Sequence, residues 1–304
     1  MEYGEFIFVC MSPANAATAI LLNLLVMFYI WKMKLLAKNR SIVLFVNLSL
    51  ADILLGLTIS AIKVIGTFKL PPDHILNLVK QYLASSFIQI SLLVSISTNI
   101  IVTSERLLLV KQPFIYRQIT KGHRVLICIA IWIITILATA GFYFTSYTYE
   151  LQFIIISTII FTSLPWPIIC FVWIKIIMKH RLSSKNQADK NDGPDNVATA
   201  SRNKEEEKFL TLCFRTFIVF TICWVPYASF GVALYFSYSV EHDAIWLDIQ
   251  YTVHLIAFVN STINPAVFLY TTGLKKKIKQ FFCSPAPLDY SENSVSQQTI
   301  DTTL

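Results

Sequence analysis

The sequence predicts an all-α integral membrane protein: a bundle of seven transmembrane helices followed by a short amphipathic eighth helix. Hydrophobic residues make up 55% of the 304-residue chain and charged residues only 14%, whereas soluble domains carry about 25% charged residues. The chain also contains seven runs of 22 to 26 residues that have no charged residue or only one. A bilayer core about 30 Å thick is crossed by about 20 apolar helical residues, so each run can span it once.

The seven runs follow one another from residue 6 to residue 274, and only the second contains a charge, Asp52. One apolar run could be a core helix of a soluble protein, but seven in succession leave that class without support. The two halves of the chain show no repeat, which disfavours a transporter built from related halves. The runs are 6–31, 41–62, 81–104, 125–149, 151–174, 216–240 and 249–274.

The basic residues predict the topology. Of the 25 Lys and Arg residues, 22 lie in four segments between alternate runs, namely 32–40, 105–124, 175–215 and 275–304. By the positive-inside rule these segments are cytoplasmic, so we expect a multi-pass plasma-membrane protein with its N-terminus outside and its C-terminus inside. The net charge of +7 is spread over these loops and does not indicate nucleic-acid binding.

The same pattern divides the chain into parts. We expect a short extracellular N-terminus at 1–12 and the helix bundle at 13–271, with a third intracellular loop at about 180–206. That loop is rich in Lys, Asn, Asp and Ser, which predicts disorder. An amphipathic helix at 272–283 and a disordered cytoplasmic tail at 284–304 complete the chain.

Asp52 is the one charged residue inside a predicted span. Such a group costs about 2.5–3.5 kcal/mol on insertion scales and therefore marks a functional site by default. Carboxylate, amide and hydroxyl oxygens together suit a small hard cation. The alternative is a neutral Asp52 that joins helices by hydrogen bonds. The polar side chains predicted at the same depth are Asn23, Ser95, Asn99, Asn260, Ser261 and Asn264.

Charged residues also meet at the predicted cytoplasmic edge. Glu105 and Arg106 end the third span, and the acidic segment 205–207 precedes the sixth. An ion pair between two helices here could break when the helices separate, which would make it a switch. The alternative is an arginine that extends to the membrane surface opposite a solvated acidic face. Proline residues predict bends in three spans, at Pro165, Pro167, Pro226 and Pro265.

Short motifs recur in a fixed order along the predicted spans. They are Asn23, Asn47-Leu48-Ser49-Leu50-Ala51-Asp52, Glu105-Arg106-Leu107, Trp132, Pro165, Cys223-Trp224-Val225-Pro226-Tyr227 and Asn260-Ser261-Thr262-Ile263-Asn264-Pro265. In this order they resemble the motifs of the rhodopsin-like (class A) G-protein-coupled receptors, over nearly the whole chain. The resemblance implies a receptor, not an enzyme, that binds a ligand and activates heterotrimeric G proteins.

The resemblance also assigns roles to residues inside the spans. An allosteric sodium ion, and no required cofactor, is expected at Asp52, Ser95, Asn260, Ser261 and Asn264. Arg106 with Glu206 matches the latch of the inactive state, and Trp224 matches the aromatic switch. The remaining switch positions are Glu105, Ile96, Pro165, Phe220 and Pro265.

The family's ligand pocket projects onto a mostly apolar set of side chains, which is typical of a site for a small, weakly polar molecule. Ile88 replaces the aspartate of amine receptors and Phe258 replaces the retinal lysine of opsins, so neither ligand type is expected. His254 could contact the ligand or serve only as a structural hydrogen-bonding group. The set is Ile88, Gln89, Leu92, Ser157, Thr158, Phe161, Trp224, Tyr227, Ala228, His254 and Phe258.

The resemblance extends to the cytoplasmic end. The segment 271–283 alternates basic and apolar residues and resembles the family's amphipathic membrane-surface helix, with Cys283 as a candidate palmitoylation site. Tail Ser and Thr residues could recruit arrestin after phosphorylation. The last three residues, 302–304, resemble a ligand for a PDZ-type protein.

Two departures from the family pattern bear on function. Phe268 and Trp173 stand where the family carries tyrosines whose hydroxyls help to hold the active state. They leave open a second function, an atypical receptor-like membrane protein that couples weakly or constitutively and acts through partners. A third class, a transporter or a seven-helix enzyme, has no support, because no metal-ligand cluster or nucleophile–base signature is present.

Overall fold

The computed structural model of the chain describes residues 3–67, 75–146, 172–173, 176, 196–236 and 244–272. Helices with bounds inside these ranges are α1 (Tyr3–Lys32), α2 (Leu35–Lys38), α3 (Ile42–Thr67), α4 (Ile75–Lys111), α5 (Pro113–Gln118), α6 (Lys121–Ser146), α7 (Asn196–Phe236) and α8 (Ala244–Thr271). Within the described ranges, α1, α3, α4, α6, α7 and α8 are long and apolar enough to cross a membrane. The prediction of an all-α membrane bundle is confirmed, and each of these six helices contains one of the predicted runs or most of it.

Two helices begin earlier in the chain than the expected boundaries. The helix α1 begins at Tyr3 and its membrane-compatible part at Phe6, whereas the bundle was expected to begin at residue 13. The helix α7 begins at Asn196, within the loop expected at about 180–206. The first part of α7 is rich in Ala, Glu and Lys, which are strong helix formers in water. The predicted fifth span at 151–174 lies outside the described residues, apart from 172 and 173.

The helices pack mainly on their neighbours in the bundle. The helix α1 packs against α3 and α8, α8 also packs against α7, and α4 lies between α3 and α6. Side chains on the outer face of α6 are apolar and largely exposed, among them Leu126, Ile134 and Leu137. Because such a surface is unfavourable in water, its extent agrees with a lipid-facing helix.

Small residues allow α1 and α3 to approach closely. A Cβ atom on Gly56 would lie 2.8 Å from Ile20 Cγ1 and 3.1 Å from the Ala16 carbonyl oxygen. Ala16 is itself buried at this interface. In a membrane, where apolar burial provides no drive for helix association, such close contacts provide much of the packing energy.

Two motif residues join three helices by hydrogen bonds. The Asn47 side-chain amide on α3 donates to Thr98 Oγ1 on α4 (2.8 Å). The Trp132 indole N–H on α6 donates to Asn47 Oδ1 (2.9 Å). These bonds hold α3, α4 and α6 in one register, because an amide buried in a membrane bundle is costly unless it is paired.

Similar bonds join α1 to α8. The Asn23 side-chain amide donates to the Ser261 carbonyl oxygen (3.0 Å), and the Thr262 hydroxyl donates to Asn15 Oδ1 (2.6 Å). Asn23, predicted as a possible ion ligand, therefore uses its N–H group to fix the position of α8 beside Asp52.

Candidate functional site

Aromatic side chains on α7 and α8 form a continuous row. The row contains Phe220, Trp224, Tyr227, His254 and Phe258, and we call it the aromatic cluster. The ring centroids of Trp224 and Tyr227 are 5.4 Å apart, and those of Tyr227 and His254 are 5.0 Å apart, both in edge-to-face geometry. This geometry is favourable for aromatic pairs. The cluster therefore gives an unbroken contact path from α8 to Phe220, which is buried within α7.

The beginning of α1 extends this cluster. The Phe8 ring packs against Phe258 at 6.1 Å and against Tyr251 at 5.5 Å between centroids. The Lys63 ammonium lies 5.3 Å from the Phe8 ring centre, within cation–π range. Sequence reasoning missed Phe8, because the bundle was expected to begin later, and it missed Tyr251. The spacing of Tyr251, His254 and Phe258 by three and four residues could have indicated a shared helix face.

The hydrogen bond of His254 fixes which ring nitrogen carries its proton. His254 Nδ1 lies 2.7 Å from the Gln250 carbonyl oxygen. A carbonyl oxygen can only accept, so Nδ1 carries the hydrogen and Nε2 of the neutral ring keeps a lone pair. The half-buried His254 thus offers an acceptor atom among aromatic rings.

The structure describes only some of the other residues that were predicted to line the ligand pocket. Ile88, Gln89 and Leu92 are half-buried on α4, and Ile88 packs against a buried group that includes Phe258. Ile96 is buried one helical turn below Leu92. The predicted residues that lie outside the described chain are Ser157, Thr158, Phe161, Pro165 and Cys283, and the side chain of Ala228 is also not described.

A polar centre surrounds Asp52. The five residues predicted for the sodium site, Asp52, Ser95, Asn260, Ser261 and Asn264, are all less than 5% exposed. Several of their atoms are buried without a hydrogen-bond partner in the described structure, namely Asp52 Oδ2, Asn260 Oδ1 and both side-chain amide atoms of Asn264. Buried polar atoms of this kind are costly unless a water or an ion satisfies them.

A small cavity adjoins this centre. Its volume is about 10 Å³, close to the ~10–15 Å³ that one water-sized particle needs. Of the five predicted residues only Asp52 and Asn264 line it, together with Pro265, Asn23, Val26, Phe45, Leu48, Ser49, Thr216 and Phe268. Unpartnered carboxylate and amide oxygens are the donors that a hard cation prefers, so this chemistry fits a sodium ion.

The switch arginine has several partners near the end of α4. One terminal nitrogen of Arg106 donates to Ser41 Oγ (2.9 Å), to the Tyr116 hydroxyl (3.1 Å) and to Glu105 Oε2 (3.3 Å). The guanidinium also lies 4.7 Å from the ring centre of Phe209 on α7. The side chain of Glu206, the predicted latch partner, is not among the described side chains.

The two departures from the family pattern are both packed in the interior. Trp173 is 1% exposed, donates its indole N–H to Thr103 Oγ1 (3.1 Å) and packs on Phe214 and Phe217. Phe268 is also buried, with its ring 5.4 Å from that of Phe45. Trp173 is larger than the family's tyrosine and Phe268 is less polar, and each fills its position by packing.

Comparison with known proteins agrees with this architecture. Residues 22–268 match the family model described as 7 transmembrane receptor (rhodopsin family). The adenosine receptor A3 of Ovis aries is 24% identical over 292 residues, covering 86% of this chain and 83% of the receptor. The neuropeptide Y receptor type 6 of Mus musculus is 25% identical over 282 residues, covering 81% and 72%.

A third similar protein is the galanin receptor type 1 of Homo sapiens, 26% identical over 152 residues, which covers 49% of this chain and 40% of the receptor. All three are receptors rather than enzymes. The family match covers most of the chain and includes Asp52, Arg106, Trp224 and Pro265. The chain therefore belongs to the rhodopsin (class A) family of seven-transmembrane G-protein-coupled receptors.

Proposed function

We propose that this receptor binds a small, weakly polar ligand in the outer half of the bundle and activates heterotrimeric G proteins from the plasma membrane. The observation that carries the proposal is the aromatic cluster, which joins the half-buried His254 to the fully buried Phe220 through ring contacts. A ligand in contact with Tyr227 or His254 can therefore alter the packing of Trp224. One of the three similar receptors named above, which covers 86% of this chain, is named for adenosine, itself a small molecule.

The mechanism is a shift between two conformations. A ligand that contacts the aromatic cluster more favourably in one arrangement raises the population of that arrangement. In the active arrangement α7 moves away from α4, Arg106 loses its contact with Phe209, and a groove opens for a G-protein helix. The N-terminus lies outside and the C-terminus inside. Arrestin and a PDZ-type protein are the further partners proposed for the tail.

His254 is expected to accept a hydrogen bond from the ligand. The test measures how far a compound makes the receptor stimulate nucleotide exchange on purified G proteins. The compounds are adenosine, related nucleosides, galanin and neuropeptide Y. We expect a small molecule to activate, and His254→Phe to lower its potency about tenfold, because one buried hydrogen bond is lost. Thr252→Val is the control, since the Thr252 hydroxyl is exposed and bonds within its own helix.

Activation by the peptides alone, or equal potency in wild type and His254→Phe, would contradict this site. A receptor that ignores every compound in all G-protein assays would favour the second candidate, an atypical receptor acting through partners. The observation that favours this second candidate is the packing of Trp173 and Phe268, which places no tyrosine hydroxyl at either position.

Asp52, Ser95, Asn260, Ser261 and Asn264 are proposed to bind an allosteric sodium ion, which supplies a positive charge beside Asp52 when bound. At a NaCl concentration ten times the Kd, the melting temperature of the purified receptor should exceed that in N-methylglucamine chloride by about 3–5 °C. Asp52→Asn should abolish the difference, whereas Asp248→Asn, on the outer part of α8, should retain it. An equal sodium response in wild type and Asp52→Asn would exclude the site.

A further inference from the structure

Glu105 is bound by two arginines rather than one. Arg124, on α6, donates its Nε–H to Glu105 Oε1 at 2.6 Å. Ser41 donates its hydroxyl to the other oxygen, Oε2, at 2.7 Å, and Arg106 contacts that same oxygen at 3.3 Å. The direct pair with Arg106 is thus the longest of these three contacts. All four side chains are buried.

Arg124 is held in place independently of Glu105. Its Nη1 donates to the Ile119 carbonyl oxygen at 2.8 Å, in the connection between α5 and α6. The side chain is 2% exposed, so its charge is held away from water in this structure. If Arg106 moves away, Glu105 keeps Arg124 and Ser41 as partners. The departure of Arg106 therefore leaves no unpaired buried carboxylate, which would be the main penalty for breaking such a pair.

The two arginines also oppose each other. Their guanidinium carbons lie 5.5 Å and 5.4 Å from the centre of the same ring, that of Tyr116 on α5. Two positive charges therefore share one carboxylate and one aromatic ring in the interior. Like charges repel more strongly inside a protein than in water. Moving Arg106 outward relieves the repulsion, whereas Arg124 stays bound to its carbonyl.

We propose that Arg124 is a positioning residue that occupies Glu105 and thereby weakens its hold on Arg106, which raises the resting population of the active conformation. The proposal rests on the proposed function only in that an active conformation exists. Without the Arg124 charge, Glu105 and Arg106 form a neutral pair with no competing cation. That pair holds the Arg106 side chain in its inactive position more firmly.

The test measures conformation without a G protein. A fluorine label is attached to Lys208→Cys, an exposed position on α7, after Cys10, Cys170 and Cys283 are changed to serine. Fluorine NMR of the purified receptor without ligand then gives the populations of the inward and outward states. Arg124→Gln should lower the outward population about threefold. Arg124→Lys should restore most of it, and Lys121→Gln, an exposed neighbour, should leave it unchanged.

A merely structural role for Arg124 predicts the opposite result. Loosened packing would lower the melting temperature of Arg124→Gln and raise or preserve the outward population, and either population result would overturn the proposal. In a Glu105→Gln background, Arg124→Gln should have no further effect on the population; a full threefold effect there would also overturn it. Nucleotide exchange on G proteins is measured separately. A population shift without any exchange would contradict the proposed function while supporting the role of Arg124.

Discussion

Trp173→Ala is expected to lower the free energy of unfolding by about 3–5 kcal/mol, the usual cost of truncating a buried tryptophan. The indole is 1% exposed and packs on Phe217 at 5.8 Å and on Phe214 at 5.5 Å between ring centroids. Its N–H group also donates to Thr103 on α4. The substitution therefore removes contacts to α7 and α4 at once, and helices in lipid rely on such contacts for their association.

Two further variants separate packing from hydrogen bonding at this position. Trp173→Phe keeps a ring but removes the N–H donor. Thr103→Val keeps the indole and removes the hydroxyl that accepts from it and that also donates to the Asn99 carbonyl oxygen, and it should cost about 1 kcal/mol. Unfolding of the detergent-solubilised receptor, followed by heat and by denaturant, measures all three variants. A loss below about 1 kcal/mol for Trp173→Ala would mean that the indole does not fill the space between α4 and α7.

The sequence was sufficient to predict the bundle and the residues at its centre. The length of each charge-free run matches the length of a helix that crosses the bilayer, because every charge inside the bilayer is costly. The same cost makes an isolated polar residue such as Asp52 conspicuous, and its buried position follows from that argument. Helix ends were harder to predict, because a helix such as α7 continues well beyond the apolar region on which the reasoning depends.

Contacts between helices were the second feature that could not be predicted from the sequence. Phe8 lies inside the apolar run 6–31, but it joins the aromatic cluster because α1 passes beside α8, and the run alone does not indicate that contact. Arg124 was counted as one of the positive loop charges that fix the topology, yet it is buried against Glu105. Its role depends on the path of the chain through α5, which brings residue 124 back to the end of α4. No periodicity in the sequence encodes that path.

Gly56→Leu is expected to lower the free energy of unfolding by about 3 kcal/mol or more, because overpacking a close helix contact forces the backbones apart. Even a single Cβ atom would lie 3.1 Å from the Ala16 carbonyl oxygen, which is backbone and cannot rotate away. The melting temperature of the purified receptor should fall by about 10 °C. Gly141→Leu is the control, since a Cβ atom on Gly141 would have no neighbour within 4 Å.

Gly56→Ala tests the same contact more finely. Alanine gains about 1 kcal/mol over glycine in helix propensity, but the added Cβ would also lie 2.8 Å from Ile20 Cγ1. Overpacking costs about 1–3 kcal/mol, so we expect a net loss. Ile20→Ala removes the Cγ1 atom, and the cost of Gly56→Ala should therefore be smaller in that background. Equal costs in the two backgrounds, or a stabilising Gly56→Leu, would show that α1 and α3 do not approach each other at Gly56.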